Sequence, residues 1–167
     1  MFENNTATDD AGGLATYNSS PTLNNCTFAN NTAADMGGGI SFGIGGSPLL
    51  ENCVFTNNQA QEGGGIYCNA VSIQLNNCVA SENTAQWGGG IRLDGTSASF
   101  SNCTFTNNYA SSDGGGIHYA YDTDLWLNSC IVWGNFASLG DNILADGNSS
   151  NTETVSYSCV GGGFSGQ

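Results

Sequence analysis

Apolar side chains return along this chain at a steady interval. An aliphatic residue closes a glycine-rich run at Leu14, Ile40, Ile66, Ile91, Ile117 and Ile143, with spacings of 26, 26, 25, 26 and 26 residues. After each closure comes a short apolar stretch: Ile40-Ser41-Phe42, Ile66-Tyr67-Cys68, Ile91-Arg92-Leu93 and Ile117-His118-Tyr119. A second stretch carries Leu23, Leu50, Leu75, Phe100 and Leu127, and a third pairs Cys26 with Phe28, Cys53 with Phe55, Cys78 with Ala80, Cys103 with Phe105 and Cys130 with Val132. Side chains on a strand alternate faces, so residues two apart share one. The pattern predicts three short strands per repeat, with Ile, Leu, Phe and Cys facing inward.

A fixed period in the twenties is the mark of a solenoid, whose units stack to bury a shared core. Gly, Asn, Ser and Thr dominate the units and disfavour helix interiors. The spaced leucines of a leucine-rich repeat are absent. What remains is an all-β fold, a parallel β-helix (β-solenoid) of six to seven coils of 25–27 residues. It spans residues 1–167 as one domain without true caps. At a strand spacing of about 4.8 Å, the rod is roughly 30 Å long.

Two polar columns serve this geometry. Asn5, Asn31, Asn58, Asn83, Asn108 and Asn135 recur in an Asn-x-Ala pattern. They are expected at a sharp turn in the left-handed backbone region, with each amide bonded to the next coil's. The glycine runs open the opposite corner, where a tight bend leaves no room for Cβ. Cys26, Cys53, Cys78, Cys103 and Cys130 form an inward column that Cys159 is expected to extend, with Cys68 filling the core on another strand. No CxxC pair exists, so cysteine acts as a small buried hydrophobe, with disulfides between adjacent coils left open.

The FxxN tetrapeptides Phe2/Asn5, Phe28/Asn31, Phe55/Asn58 and Phe105/Asn108, followed by glycine-aliphatic runs, resemble the repeats of right-handed parallel β-helix surface proteins. The passengers of the chlamydial polymorphic outer-membrane proteins are the best-known bearers of such motifs. The tail Thr154 to Gly166 is similar to a segment of large secreted bacterial β-helix proteins. The resemblance covers nearly the whole chain and implies a right-handed β-helix, outside the cell or on its surface. It does not select an activity, because the architecture carries adhesins, lyases, hydrolases and inert stalks. Departures are Ala80 and Val132 in place of Phe, and Asp141-Asn142 in place of Gly-Gly.

Charge narrows the partners. Fourteen acids against one Arg and no Lys give a net charge of −13, which leaves nothing to neutralise nucleic-acid phosphates and disfavours anionic membranes. No stretch reaches membrane-spanning length, and no signal peptide follows Met1. The chain is therefore expected to be an excised fragment or a mature chain with an added Met. Acids recur ahead of the glycine corner at Asp10, Asp35, Glu62 and Asp113, with Asp141 near the same point and Trp87 breaking the series. They are read either as a solvated coat or as a column that shares Ca²⁺ through oxygen ligands.

Candidate chemistry gathers on the first strand. Residues one and three places after each closing Ile are expected to point outward, which brings together Tyr67/Asn69, Arg92/Asp94, His118/Ala120 and Leu144/Asp146. Tyr121, Asp122 and Asp124 follow in the longest turn, with Trp126 on the next strand. Tyr67, Arg92, His118, Tyr121 and Trp126 are candidate ligand contacts. Asp94, His118, Asp122 and Asp124 are candidate acid–base groups in the manner of glycoside hydrolysis. A third face, with Thr27/Ala29, Val54/Thr56, Val79/Ser81, Thr104/Thr106 and Ile131/Trp133, resembles the flat Thr arrays of ice-binding solenoids. The leading expectation is an extracellular structural or adhesive rod of a bacterial surface protein, self-associating end to end or flanked by further coils. A glycan-binding or glycan-cleaving module is the alternative, with polysaccharide as partner.

Overall fold

The computed structural model describes residues 1–147 and 150–161. The tail from Thr154 to Gly166 therefore lies partly outside the described residues. Every named element is a strand, and the strands pair in parallel into three long sheets that wind around one core.

The first sheet stacks Leu14–Thr16, Ile40–Phe42, Ile66–Asn69, Ile91–Asp94, Ile117–Ala120 and Ile143–Ala145. The second stacks Thr22–Asn24, Leu49–Glu51, Ser72–Asn76, Ser97–Ser101, Asp124–Asn128 and Thr152–Ser156. The third runs from Phe2–Glu3 through Thr27–Ala29, Val54–Thr56, Val79–Ser81, Thr104–Thr106 and Ile131–Trp133 to Cys159–Val160. From Thr27–Ala29 to Ile131–Trp133, each strand of this sheet begins one residue after a cysteine.

Register follows the sequence repeat. Ile40, Ile66, Ile91, Ile117 and Ile143 are in line, as are Leu23, Leu50, Leu75, Phe100, Leu127 and Val155. Slipping any coil by one residue would turn its apolar set outward, so burial of one face holds the alignment. Phe2, Phe28 and Phe55 stack with ring centroids 4.7 and 4.9 Å apart and planes within 3°. Ala80 ends that stack, and Phe100 from the second sheet then meets Phe105 at 5.5 Å.

The asparagine column is a buried amide ladder. Asn5, Asn31, Asn58, Asn83 and Asn108 each donate from Nδ2 to the next Oδ1 at 2.9–3.0 Å. From Asn31 to Asn135 the same Nδ2 also donates to a backbone carbonyl one coil back. The expected left-handed conformation belongs instead to the preceding residue: Asn4, Asn30, Asn57, Glu82, Asn107 and Gly134 have φ of 53–70°. That residue makes the turn with its side chain outside, which frees the ladder asparagine to point inward.

The Asp141-Asn142 departure has a structural role. Asn142 stands where Gly116 stands one coil earlier, and its Oδ1 accepts from Asn135 Nδ2 at 3.0 Å. Its own Nδ2 donates to the Gly161 carbonyl, while Asp141 Oδ1 accepts from the Ala137 amide at 3.0 Å. Side chains thus close the ladder where the next Asn-x-Ala coil would otherwise continue it.

The cysteine column also needs one correction. Cys53, Cys78, Cys103 and Cys130 are buried and Cys26 is half-buried, with all seven cysteines as free thiols. Cys159 does not extend the column. It aligns with Ile131 and is exposed, whereas Ser158 takes the rung and receives the Cys130 amide at 2.9 Å.

Candidate functional site

The residues one place after each closing aliphatic align as Ser41, Tyr67, Arg92, His118 and Leu144. This column holds the chain's one Arg and one His on adjacent coils. Both lie on the outward face of the first sheet, as expected, yet they are not solvent-facing. Arg92 is 6% exposed and His118 1%, because the chain folds back over them.

Glycine makes the fold-back feasible. Gly88 and Gly114 adopt φ of +67° and +62°, and a Cβ on either would meet the Cβ of Arg92 at 2.9 Å or of His118 at 2.6 Å. The residues just before these glycines form their own register, Met36, Glu62, Trp87, Asp113 and Leu139. Glu62, Trp87 and Asp113 thereby come to line a cleft of about 260 Å³ with Arg92, His118, Tyr121 and Asp146.

Beneath the cleft runs a continuous polar relay. Tyr67 Oη donates to Asp94 Oδ2 at 3.1 Å, and Arg92 Nε donates to Asp94 Oδ1 at 2.8 Å. Arg92 Nη1 lies 2.8 Å from His118 Nδ1, and His118 Nε2 lies 2.9 Å from Asp146 Oδ1. A guanidinium only donates, so Nδ1 accepts and Nε2 carries the proton given to Asp146. Burial first, and then the Arg92 charge, pull the His118 pKa below its ordinary value near 6.5, against the pull of Asp146 and Asp113. His118 is therefore neutral at pH 7. Burial also raises the Glu62 carboxyl, although Arg92 at 3.9 Å opposes the shift. The Tyr67 hydroxyl is pushed up by burial and then by the Asp94 charge.

The predicted acid–base set separates. Asp94 is buried and fully engaged in the relay. Asp122 is exposed and accepts from the Ser150 amide at 2.8 Å, and Asp124 pairs with the Thr152 hydroxyl. Trp126 belongs to the second sheet in line with Ser99 and Thr154, away from the cleft. Tyr121 does line the cleft, from a left-handed turn with φ of 55°. Trp87 registers in the sequence only as the break in the acidic series, and Asp146 only as a member of the outward column, neither with a role in a site. The available signal was the corner position four residues ahead of Ile91, shared with Glu62 and Asp113 in their own coils.

The five acids read as a calcium column do not form one. Asp10, Glu62 and Asp113 share the register of Met36 and Trp87, Asp35 lies one place earlier beside Asp9, and Asp141 replaces a corner glycine. Among the described residues, Asp9, Asp10 and Asp35 are the acids that crowd together, with carboxylate oxygens within 4.8 Å of one another. Burial first, and then the neighbouring Asp9 and Asp35 charges, raise Asp10.

The third sheet keeps its outward columns in register, with Ser81 Oγ 3.4 Å from Thr56 Oγ1. Exposed Ile131 and Trp133 interrupt the flat Thr surface expected there. Among the described residues no helix is long and apolar enough to cross a membrane.

A continuous parallel solenoid with one saturated polar cluster on its outer face defines the class: a β-helix repeat protein. The model of the right handed beta helix region matches residues 1–132, and the chain belongs to that family. No curated protein and no solved structure matches the chain.

Proposed function

We propose that the chain is a structural or adhesive rod segment of an extracellular bacterial surface protein, assembled by coil-on-coil stacking. The observation that carries this reading is the saturation of the axial ladders. From Asn5 to Asn142 every rung of the amide ladder is bonded to the next, and the aliphatic column from Leu14 to Ile143 runs beside it without a break in register. Ladder order of this kind rigidifies a rod along its axis and needs no ligand.

The axial face supports the assembly half of the reading. Phe2, Leu14, Leu23 and Cys26 are only partly buried where Phe28, Ile40, Leu50 and Cys53 in the next coil are fully buried. Such a face, with unpaired strand edges, gains by covering itself with another coil, whether of a longer chain or of a second copy. The acidic flanks repel one another and favour axial over lateral contact.

Negative-stain electron microscopy on purified protein across a concentration series tests the proposal. Filaments a few nanometres wide, lengthening with concentration, are the expected result. Discrete particles at every concentration would remove self-assembly, and cleavage of a polysaccharide by the purified chain would overturn the structural reading altogether.

A further inference from the structure

In a repeat protein, the places where a column departs from its repeating residue mark demands other than folding. The departures converge at one place here. The outward column brings Arg92 and His118 together, the corner column lays Glu62, Trp87 and Asp113 over them, and Tyr121 and Asp146 complete the wall. None of these side chains is needed for the interior ladders.

The chemistry of the cleft is specific. Glu62, Trp87 and Asp113 occupy consecutive coils, so two carboxylates flank one indole, their backbones about 10 Å apart. The Arg92 charge is absorbed by Asp94 at 2.8 Å and Glu62 at 3.9 Å. His118 is held neutral by its acceptor role toward Arg92. Asp113 and Asp146 then remain as uncompensated negative charge at the walls. Aromatic faces beside carboxylates are the surroundings that stabilise an organic cation, through the ring quadrupole and charge-assisted hydrogen bonds. A bare metal ion fits less well. Among the described residues, the acid, His and Cys ligand atoms that converge within 4.8 Å are those of Asp9, Asp10 and Asp35, not those of this cleft.

We propose that the cleft of Glu62, Trp87, Asp113, Tyr121 and Asp146 binds a primary alkylammonium group, from a lysine side chain or a free alkyl amine. The N–H donors of the ammonium face the carboxylates, and its methylene stem lies along Trp87 and Tyr121. A volume of about 260 Å³ accommodates a four- or five-carbon amine and excludes a folded peptide. The inference stands apart from the rod reading, since the cleft is complete within one chain.

The test is a titration of the purified chain with butylammonium, cadaverine and Nα-acetyl-lysine methylamide, followed by backbone amide NMR shifts at constant ionic strength. Saturable shifts confined to the surroundings of Glu62, Trp87, Asp113 and His118 are expected. Affinity should fall on the order of tenfold in Asp113→Asn and in Trp87→Leu, and hold in Asp124→Asn, whose carboxylate lies outside the cleft. Tighter binding of the lysine derivative assigns a protein partner, and tighter binding of cadaverine assigns a free amine. Shifts that do not saturate, that sodium reproduces, or that survive Asp113→Asn overturn the proposal. If Trp87→Leu loses the native spectrum, the wild-type shift map and Asp113→Asn alone decide.

Discussion

Arg92 and His118, one coil apart, share a single hydrogen bond in which Arg92 Nη1 donates to His118 Nδ1 at 2.8 Å. The contact survives only while the imidazole is neutral, because a second proton would sit on Nδ1 and face the guanidinium. The folded-state pKa of His118 accordingly lies below its value in an unfolded chain.

The stability that neutral His118 contributes is therefore complete above about pH 6.5 and is lost as pH falls through the lower folded value. Glu62, Asp10 and Glu153 have the opposite sign, since burial raises their pKa values and their share is lost as pH rises. Comparison with His118→Asn isolates the first effect. Urea unfolding at about pH 7.5 should find the variant less stable than the parent, with the gap narrowing at about pH 5. A gap that does not change with pH would show that Nδ1 is not the acceptor.

Interior and terminal rungs of the amide ladder should differ in worth. Asn83 is fully buried, donates to Phe55 O and Asn108 Oδ1, and accepts from both nitrogens of Asn58, all at 3.0 Å. Asn83→Ala strands several buried partners and should cost about 3 kcal/mol or more. Asn5→Ala removes one exposed rung and should cost about 1 kcal/mol. Equal losses in chemical denaturation would mean that the ladder does not act along its length.

Corner glycines should tolerate no methyl group. A Cβ on Gly89 would lie 2.5 Å from the carbonyl oxygens of both Gly115 and Tyr109, and neither backbone can yield without shifting a coil. Gly89→Ala is expected to destabilise by about 3 kcal/mol. Gly147→Ala, with nothing within 4 Å of its Cβ, should be near neutral in the same thermal melt.

Thiol chemistry should report the corrected place of Cys159. It is the exposed cysteine, Cys26 is half-buried and the other five are buried, with burial holding the Cys68 thiol in its protonated form. A disulfide reagent should modify Cys159 rapidly in the native protein and the buried column only after denaturation. The fast phase should vanish in Cys159→Ser. A fast phase that persists in that variant would place another thiol at the surface.

Much of the architecture was readable from spacing alone. Ile40, Ile66 and Ile91 had to align because a one-residue slip would expose every apolar side chain in the coil, and the Asn-x-Ala columns had to stack because they share the same period. The errors came where one position has two structural choices. Asn30 and Asn31 are adjacent and identical in composition, and only the winding of the coil puts the first in the left-handed turn and the second in the ladder. Cys159 carries the right residue type about one coil's length after Cys130, but a one-place shift in the last turn gives its rung to Ser158.

The candidate site divides along the same line. Period two on the first strand was enough to bring Arg92 beside His118, because neighbouring coils repeat the same register. It was not enough to bury them. That depended on left-handed Gly88 and Gly114 turning Trp87 and Asp113 back over the strand, a consequence of three-dimensional chain direction that no linear pattern encodes. Periodicity specifies which residues stack, since stacking repeats with the chain. Which side chains from different corners close over one another depends on the bend between strands, and that geometry exists only once the coil is wound.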